Sequence, residues 1–355
     1  MTEPDLRTTG PELRTTGPEL RIGVLGCADL RATQRPLRIG VLGCAEIARR
    51  RMLPAIAARP GLRLTAIAGR DPGRAEPLAA RYGARAVAGY RALVEDPEVD
   101  AVYVPLPIAL HAEWAAAALA AGKHVLAEKP LTADPAATAA LQRQAEAAGL
   151  VLRENVMFVH HPAHEQVRRL VADGAIGELR VFSAAFAIPG LPPTDIRHRP
   201  ELGGGALLDV GYYPVRAALH FLGPELTVAG AALHRGPGAE VDTSGAALLL
   251  TPGGVLAQLA FGIEHAYRNS YELWGSTGRL RVDRAFTPPA DRAPAVLLER
   301  DGGTERIELD PADQVDAALT AFAAAVAAKD TAADPLIHRQ AELLHAVRAA
   351  AGTAA

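Results

Sequence analysis

The fold is decided by the stretch Leu37-Arg38-Ile39-Gly40-Val41-Leu42-Gly43-Cys44-Ala45. Its first six residues form a short apolar run with β-branched members, which is typical of a buried strand. Small residues follow at Gly43, Ala45 and Ala48, the spacing of a dinucleotide-binding turn with alanine in place of its last two glycines. Small side chains there let backbone amides at a helix N-terminus approach a pyrophosphate. The stretch therefore predicts a strand, a tight turn and the start of a helix.

Part of this stretch occurs twice in the chain. Residues 20–28 and 37–45 have the same sequence. The second copy is followed by apolar residues at helical spacing, whereas the first is followed by a short polar segment that ends at Pro36. We therefore assign the turn to the second copy and expect residues 1–36 to be a duplicated, disordered leader.

Strands and helices alternate after the turn. Strand-like runs occupy residues 62–68, 101–104 and 124–127, and a helix-like run occupies residues 111–121. Such alternation predicts a parallel sheet that binds ligands at the carboxyl ends of its strands. We expect a dinucleotide-binding Rossmann domain over residues 37–156.

The pattern changes in the second half of the chain. Strand-like runs follow one another with Gly/Pro turns between them, at residues 179–187, 226–233, 245–250, 255–263, 270–274 and 279–283. Consecutive strands pair antiparallel, so the overall class is α/β with a second, α+β domain built on a large, mostly antiparallel open sheet. We expect this domain over residues 157–350, closed by helices at 312–328 and 335–350. An open sheet must cover its second face, which favours a homodimer or homotetramer.

Overall composition excludes several classes of function. The chain has 355 residues and a formal net charge of −3, so it lacks a general basic field to hold nucleic acid or an anionic membrane. No uncharged apolar run is long enough to span a bilayer. Two cysteines, Cys27 and Cys44, cannot build a disulfide framework. We expect a cytoplasmic protein with no nucleic-acid partner and no membrane association.

Lysine is scarce, which narrows the search for an active-site amine. The 37 basic residues include three lysines, Lys123, Lys129 and Lys329. Lys129 alone follows a strand of the predicted parallel sheet, at the edge where such sheets bind ligands. Lys123 precedes that strand and Lys329 lies in an alanine-rich helix, which are typical places for solvated charges. Lys129 is therefore the candidate catalytic amine.

The end of the second predicted strand bears on the choice of dinucleotide. There, about 20 residues after the turn, NAD enzymes carry an acidic residue for the ribose 2′-hydroxyl and NADP enzymes an arginine for the 2′-phosphate. This chain has Gly69-Arg70, with Arg74 close behind. The pair favours NADPH/NADP+; the competing interpretation is a surface arginine partly neutralised by Asp71.

Several motifs together resemble the glucose–fructose oxidoreductase/inositol dehydrogenase (Gfo/Idh/MocA) family. They are Gly43-Cys44-Ala45, the stretch 111–125, Glu128-Lys129-Pro130 and the glycine-rich stretch 203–211. The resemblance implies that Glu128 meets the nicotinamide ribose and that Lys129 meets the reacting oxygen. The cofactor-binding residues implied by turn, strand end and resemblance are Gly43, Cys44, Ala45, Glu46, Ile47, Gly69, Arg70, Arg74, Leu106, His111, Glu128, Lys129 and Asn155.

One departure from the family pattern points to a branch. Many members have histidine as the proton-transfer residue after Asp-x-Gly-x, but this chain has Tyr213 in Asp209-Val210-Gly211-Tyr212-Tyr213. Tyrosine at this place, with other stretches such as residues 286–289, resembles the NDP-sugar 3-ketoreductases. That branch implies NADPH-dependent reduction of the C3 keto group of a dTDP-linked 3,4-diketo-2,6-dideoxy sugar. A second departure, Ile108 in place of asparagine, separates the chain from the sugar and inositol oxidases.

The chemistry of these residues fits a ketone reduction. A tyrosine with a pKa near 10 can donate a proton at neutral pH, and an adjacent ammonium stabilises the growing oxyanion. We expect Tyr213 and Lys129 to be catalytic. The expected substrate-binding residues, with Arg197 as a candidate diphosphate contact, are Lys129, His160, Arg197, Asp209, Tyr212 and Tyr213.

Other interpretations stay open at this point. Tyr213 could be a packing aromatic, Asp209 a helix cap and Arg197 a surface charge. The cluster His160-His161-Pro162-x-His164 lacks the spacing of a metal site, so we expect no metal. Alternative functions are a dehydrogenase of a free sugar, polyol or dihydrodiol, and a non-catalytic dinucleotide sensor.

Overall fold

The computed structural model describes residues 35–292, 294–300 and 302–352. The predicted leader, apart from its last two residues, lies outside these ranges. Helices in the described residues are α1 Leu53–Ala58, α2 Pro72–Arg81, α3 Tyr90–Val94, α4 His111–Ala120, α5 Pro135–Ala147, α6 Pro162–Ala172, α7 Ala206–Asp209, α8 Tyr212–Leu222, α9 Gln314–Ala328 and α10 Pro335–Gly352.

A six-stranded parallel sheet forms the first half of the fold. Its strands are β1 Leu37–Leu42, β2 Leu62–Gly69, β3 Arg85–Ala88, β4 Ala101–Val104, β5 His124–Glu128 and β6 Leu152–Asn155, in the order β3-β2-β1-β4-β5-β6. The order reverses between β1 and β4, which opens a crevice at the carboxyl ends of these strands. Apolar residues of α3, α4 and α5 cover one face of the sheet, and those of α1, α2 and α9 cover the other. The parallel sheet predicted from the sequence is confirmed.

The turn after β1 has the backbone that its sequence predicts. Gly43 has a φ of 95°, a conformation that side chains disfavour, and its N–H donates to the carbonyl of Ala68 over 2.7 Å. A Cβ atom at Gly43 would lie 3.0 Å from Leu106 Cδ2. Glycine therefore lets the turn close against the loop after β4, and a helical segment that leads into α1 follows it.

An eight-stranded sheet forms the second half. Its strands are β7 Leu179–Ala187, β8 Thr227–His234, β9 Ser244–Leu250, β10 Leu256–Gly262, β11 Arg268–Gly275, β12 Gly278–Asp283, β13 Ala295–Arg300 and β14 Gly303–Glu308, in the order β14-β13-β12-β11-β7-β10-β9-β8. Only β7 and β10 pair parallel in this order. The large, mostly antiparallel sheet is therefore confirmed. Helices α6, α7, α8 and α10 pack on one face, around buried residues such as Phe182, Leu259 and Tyr271.

Four strands were absent from the sequence prediction. β3 and β6 have only four residues each, and β3 is a sheet edge with exposed residues. β13 and β14 form an outer hairpin that carries charged residues such as Glu299, Glu305 and Arg306. Short or edge strands need little apolar surface, so their sequences lack a strong hydrophobic signal.

Candidate active site

A single cleft runs along the carboxyl ends of the parallel strands and on to the second sheet. Its volume is about 790 Å³. Residues from the turn after β1, the end of β2 and the loop after β5 line it, together with residues from β7, α7 and α8. This position is the usual ligand site of an open α/β sheet.

Most of the predicted cofactor residues line this cleft. They are Gly43, Cys44, Ala45, Glu46, Ile47, Gly69, Arg70, Arg74, Leu106, Glu128, Lys129 and Asn155. Asp71 accepts a hydrogen bond from the N–H of Gly73 over 2.9 Å and so caps α2. Among the described residues, Arg70 and Arg74 form no ion pair with it or with any other carboxylate. Both guanidinium groups are thus available to an anion.

Glu128 is fixed by two neighbouring strands. The hydroxyl of Tyr103 on β4 donates to Glu128 Oε1 over 2.6 Å, and Asn155 Nδ2 on β6 donates to the same oxygen over 2.7 Å. Burial and the Glu128 carboxylate raise the pKa of Tyr103 well above its usual value, so its proton stays in place. Oε2 of Glu128 accepts no hydrogen bond within the part of the chain that the structure describes, so it can accept one from a ligand in the cleft.

Lys129 is anchored to the second half of the fold. Its Nζ donates to Oδ1 of Asp209 over 2.9 Å and to the backbone carbonyl of Asp209 over 2.8 Å. Nε of Arg197 donates to the other carboxylate oxygen, Oδ2, over 2.5 Å. One carboxylate thus holds the two cations side by side.

This arrangement sets the charges of the site. Burial alone would raise the pKa of Asp209, but Lys129 and Arg197 outweigh it and lower that pKa to about 2. Burial alone would lower the pKa of Lys129, but the Asp209 carboxylate outweighs it and the pKa is raised. Lys129 therefore carries its ammonium charge at neutral pH.

Tyr213 lies beside this ammonium. Nζ of Lys129 is 4.9 Å from the centre of the Tyr213 ring. The ring packs against Phe186 and Phe286, with centroids 4.9 and 5.7 Å away. Burial raises the pKa of Tyr213, although Lys129 opposes the shift, so the phenol keeps its proton at neutral pH. The cleft thus combines a fixed cation with a protonated hydroxyl, the groups needed to stabilise and protonate an oxyanion.

Three predicted site residues do not line the cleft. His111 is fully buried, and its ring nitrogens contact the carbonyls of Pro130 (2.9 Å) and Leu106 (2.7 Å). His160 is exposed at the end of a short helical turn, and Tyr212 is buried at the first position of α8. The predicted contacts of His111 with the cofactor, and of His160 and Tyr212 with the substrate, therefore stay predictions.

The histidine cluster serves packing and capping. His161 Nδ1 accepts from the N–H of Ala163 and caps α6, and His164 Nδ1 lies 2.9 Å from the hydroxyl of Tyr271. Burial, with His220 and His161 close by, lowers the pKa of His164 to about 3. Among the described residues, no group of three or more His, Cys, Asp or Glu side chains is arranged to hold a metal ion.

The cleft also includes residues that no sequence motif marks. Gln314, at the start of α9, lies about a hundred positions from Tyr213 in the chain, and no local motif marks it. Phe186 and Ile188 look like ordinary members of a strand and its end. The segment 286–289 contributes to the family resemblance, and its residues Phe286 and Thr287 prove to line the cleft.

Two family models cover most of the described chain. The model for an oxidoreductase family with an NAD-binding Rossmann fold, GFO_IDH_MocA, matches residues 37–156. The model for the GFO/IDH/MocA C-terminal domain matches residues 164–281. The chain belongs to the Gfo/Idh/MocA family. The resemblance inferred from the sequence motifs is confirmed.

Similar members of the Gfo/Idh/MocA family share one name. The dTDP-3,4-didehydro-2,6-dideoxy-alpha-D-glucose 3-reductase of Saccharopolyspora spinosa is 51% identical over 317 residues, which is 89% of this chain and 90% of the relative. The enzyme of the same name from Streptomyces violaceoruber is 53% identical over 345 residues, or 93% of this chain and 95% of the relative. A crystal structure of a 3-ketoreductase from Actinomadura kijaniata, in complex with NADP and TDP-benzene, is 50% identical with a TM-score of 0.87 and covers 89% of this chain and 98% of its own.

Proposed function

We propose that this chain reduces the C3 keto group of dTDP-3,4-didehydro-2,6-dideoxy-glucose with NADPH. The main support for this function is that Lys129 and Tyr213 lie side by side in the same cleft as Arg70 and Arg74. Four relatives at 49–53% identity bear the corresponding 3-reductase name, and the similar crystal structure contains NADP and a TDP compound. The proposal joins the chemistry of the cleft to the activity of those relatives.

The residues present fit a bound NADPH. The Gly43 turn leaves little room for a Cβ, and small residues at such a turn let a pyrophosphate approach the N-terminus of the helix that follows. Arg70 and Arg74 would hold the 2′-phosphate, and Glu128 would hold the nicotinamide ribose through its available oxygen. When bound, NADPH supplies the hydride that the keto carbon accepts.

Lys129 orients and polarises the substrate carbonyl. Its ammonium is kept charged by Asp209 and can donate a third hydrogen bond, because two of its three N–H groups point to Asp209 atoms. Negative charge that develops on the C3 oxygen is stabilised by this fixed cation without reorganisation of the site.

Tyr213 supplies the proton. Its phenol is protonated at neutral pH and lies beside Lys129, so the C3 oxygen receives the Tyr213 proton as the alcohol forms. The resulting phenolate is stabilised by the Lys129 ammonium until solvent returns a proton.

Arg197 is proposed to contact the diphosphate. Nε and Nη1 of its guanidinium bind Asp209 and Asp195, which leaves Nη2 without a protein partner among the described residues. The side chain is 37% exposed and lines the cleft, so Nη2 is accessible to an anion. Asp209 then acts through the two cations that it holds, Lys129 and Arg197.

Several expectations stay predictions. The domain boundaries 37–156 and 157–350, the cytoplasmic location and the homodimer or homotetramer belong to this group. Leu248 and Trp274 support an assembly through the second sheet, because both are large apolar residues exposed on its strands. No helix of the described residues is both long and apolar enough to cross a bilayer.

The experiment that tests the proposal is a turnover assay with product analysis. The chain is mixed with NADPH and enzymatically prepared dTDP-3,4-didehydro-2,6-dideoxy-glucose, and NADPH oxidation and the sugar product are followed. We expect NADPH-dependent formation of the C3 alcohol. Oxidation of D-xylose with NADP+ in place of this reaction would favour a free-sugar dehydrogenase, the activity named for a 36% identical relative. Cofactor binding without any turnover would instead favour a sensor.

A further inference from the structure

A buried carboxylate connects the segments that carry Lys129 and Tyr213. Oε1 of Glu154 accepts from the N–H of Leu131 over 2.6 Å, and Oε2 accepts from the hydroxyl of Tyr212 over 2.5 Å. Leu131 lies two residues after Lys129, and Tyr212 lies directly before Tyr213. We infer that Glu154 is a positioning residue that sets the placement of Lys129 relative to Tyr213. The inference rests on the proposed function, in which these two side chains act on one carbonyl oxygen.

Burial protects the hydrogen bonds of Glu154 with Leu131 and Tyr212 from water. Glu154 is 7% exposed and Tyr212 is fully buried, so water does not compete for the two hydrogen bonds. A buried carboxylate that lost one of these donors would be left with an unpaired oxygen. The low exposure therefore favours one geometry over alternatives in which either segment shifts.

Residues of α8 and α10 further stabilise Tyr212 and Glu154. Gln340 on α10 donates from Nε2 to the backbone carbonyl of Tyr212 over 3.0 Å. The buried guanidinium of Arg216, on the same helix as Tyr212, attracts the Glu154 carboxylate and reaches Asp334 with an N–O distance of 3.5 Å. Glu154 is thus held on β6, while its partners belong to the loop after β5 and to α8.

The hydrogen bonds of Glu154 do more than fill the core, because they reach the two segments that carry Lys129 and Tyr213. Lys129 is carried by the first half of the fold and Tyr213 by the second. Their side chains meet at one oxygen of the proposed substrate, and a misplacement of about 1 Å between reacting groups can lower a rate about 100-fold. Loss of Glu154 is therefore expected to slow the chemical step while the cofactor residues at Gly43 and Arg70 keep their places.

The test uses three variants of the full chain, Glu154→Gln, Glu154→Ala and Tyr212→Phe. We expect kcat to fall about 10-fold or more in Glu154→Ala and less in the other two, which keep part of the connection. The affinity for NADPH, measured by fluorescence titration without substrate, should stay within about twofold of wild type, because these residues lie outside the proposed cofactor contacts. The deuterium isotope effect on kcat, with NADPH labelled at the transferred position, should rise as the hydride step becomes limiting.

Lys123→Met is the matched control. Nζ of Lys123 donates hydrogen bonds to the carbonyls of Asp96 and Val99, near the opposite end of β5. This variant should lose thermal stability without a change in kcat or in the isotope effect. If Glu154→Gln and Tyr212→Phe, soluble and folded by circular dichroism, keep the wild-type kcat and isotope effect, the positioning role is wrong. If wild type itself fails to reduce the dTDP sugar, the proposed function is wrong instead, so the two failures are distinguished even where Glu154→Ala does not fold.

Discussion

Nζ of Lys129 donates to Oδ1 of Asp209 over 2.9 Å, across the boundary between the two sheets. Lys129 follows the parallel strand β5, whereas Asp209 ends the short helix α7 that packs on the second sheet. The ion pair therefore forms only when the two halves of the fold are assembled around the cleft. Its second partner, Arg197, brings the loop before the glycine-rich stretch into the same contact.

Asp209→Asn tests the electrostatic part of this relationship. Asp209 raises the pKa of Lys129, so its loss should lower that pKa and shift the alkaline loss of kcat/KM to lower pH. We also expect kcat at neutral pH to fall about 10-fold or more, because a buried charge has lost its partner. The measurement is a pH profile from about 6 to about 11, a range that extends past the ordinary pKa values of tyrosine and lysine, about 10 and about 10.4. Asp195→Asn, which affects Arg197 but not Lys129, should leave the alkaline limb unchanged; an unchanged limb in Asp209→Asn as well would contradict the assignment.

Tyr213→Phe tests the proton donor. Removal of the hydroxyl should lower kcat about 100-fold or more, because general acid catalysis contributes about 10²–10⁴-fold. Affinity for NADPH should stay near wild type. Tyr267→Phe is the control, since Tyr267 is exposed and does not line the cleft, and its hydroxyl lies 3.2 Å from Oγ1 of Thr287. Equal kcat values for Tyr213→Phe and wild type would show that another group donates the proton.

Arg70→Ala combined with Arg74→Ala tests the choice of dinucleotide. Hydrogen bonds to charged groups contribute about 1.5–3 kcal/mol each, so we expect the Kd of NADPH to rise about 10-fold or more and that of NADH to change little. Isothermal titration with both dinucleotides measures the ratio. Arg81→Ala, at the end of α2 and outside the cleft, is the control. If the double variant lost affinity for NADPH and NADH equally, Arg70 and Arg74 would not be the residues that bind the 2′-phosphate.

Two histidines with lowered pKa values, His164 and His220, predict that the fold is sensitive to mild acid. Burial lowers the pKa of His164 to about 3 and that of His220 to about 4, whereas an unfolded histidine titrates near 6.5. The unfolded chain therefore takes up protons that the folded chain refuses, and the free energy of unfolding should fall as pH drops from about 6.5 to about 4. Thermal unfolding at several pH values measures this slope.

His164→Phe should flatten that slope. The change removes one of the histidines with a lowered pKa, at a cost of about 1 kcal/mol at pH 7 because the hydroxyl of Tyr271 loses its partner. His234→Phe, on an exposed position of β8, should leave the slope as it is. A slope unaffected by His164→Phe would place the acid sensitivity elsewhere.

The sequence predicts those features of the fold that depend on residues close together in the chain. The strand before Gly43 and the position of Lys129 after β5 follow from hydrophobic runs and from the general rule for parallel sheets. Side-chain direction does not follow from such patterns, so the sequence does not show that the His160 and Tyr212 side chains lie outside the cleft lining. Contacts between segments far apart in the chain, such as Glu154 with Tyr212 or Gln314 with the cleft, required the folded structure.

The three lysines have different environments, and this offers a chemical reporter of ligand binding. Lys123 is buried with two hydrogen bonds, Lys329 is exposed at the end of α9, and the Lys129 side chain is 12% exposed within the cleft. An amine-reactive reagent therefore meets a nearly lysine-free surface. At alkaline pH, where part of the Lys129 amine is deprotonated, labelling of the peptide that contains Lys129, read by mass spectrometry against that of Lys329 as an internal standard, reports on occupancy of the cleft. Because lysine is scarce, ligand binding in the cleft can be followed by chemical labelling without mutating the chain.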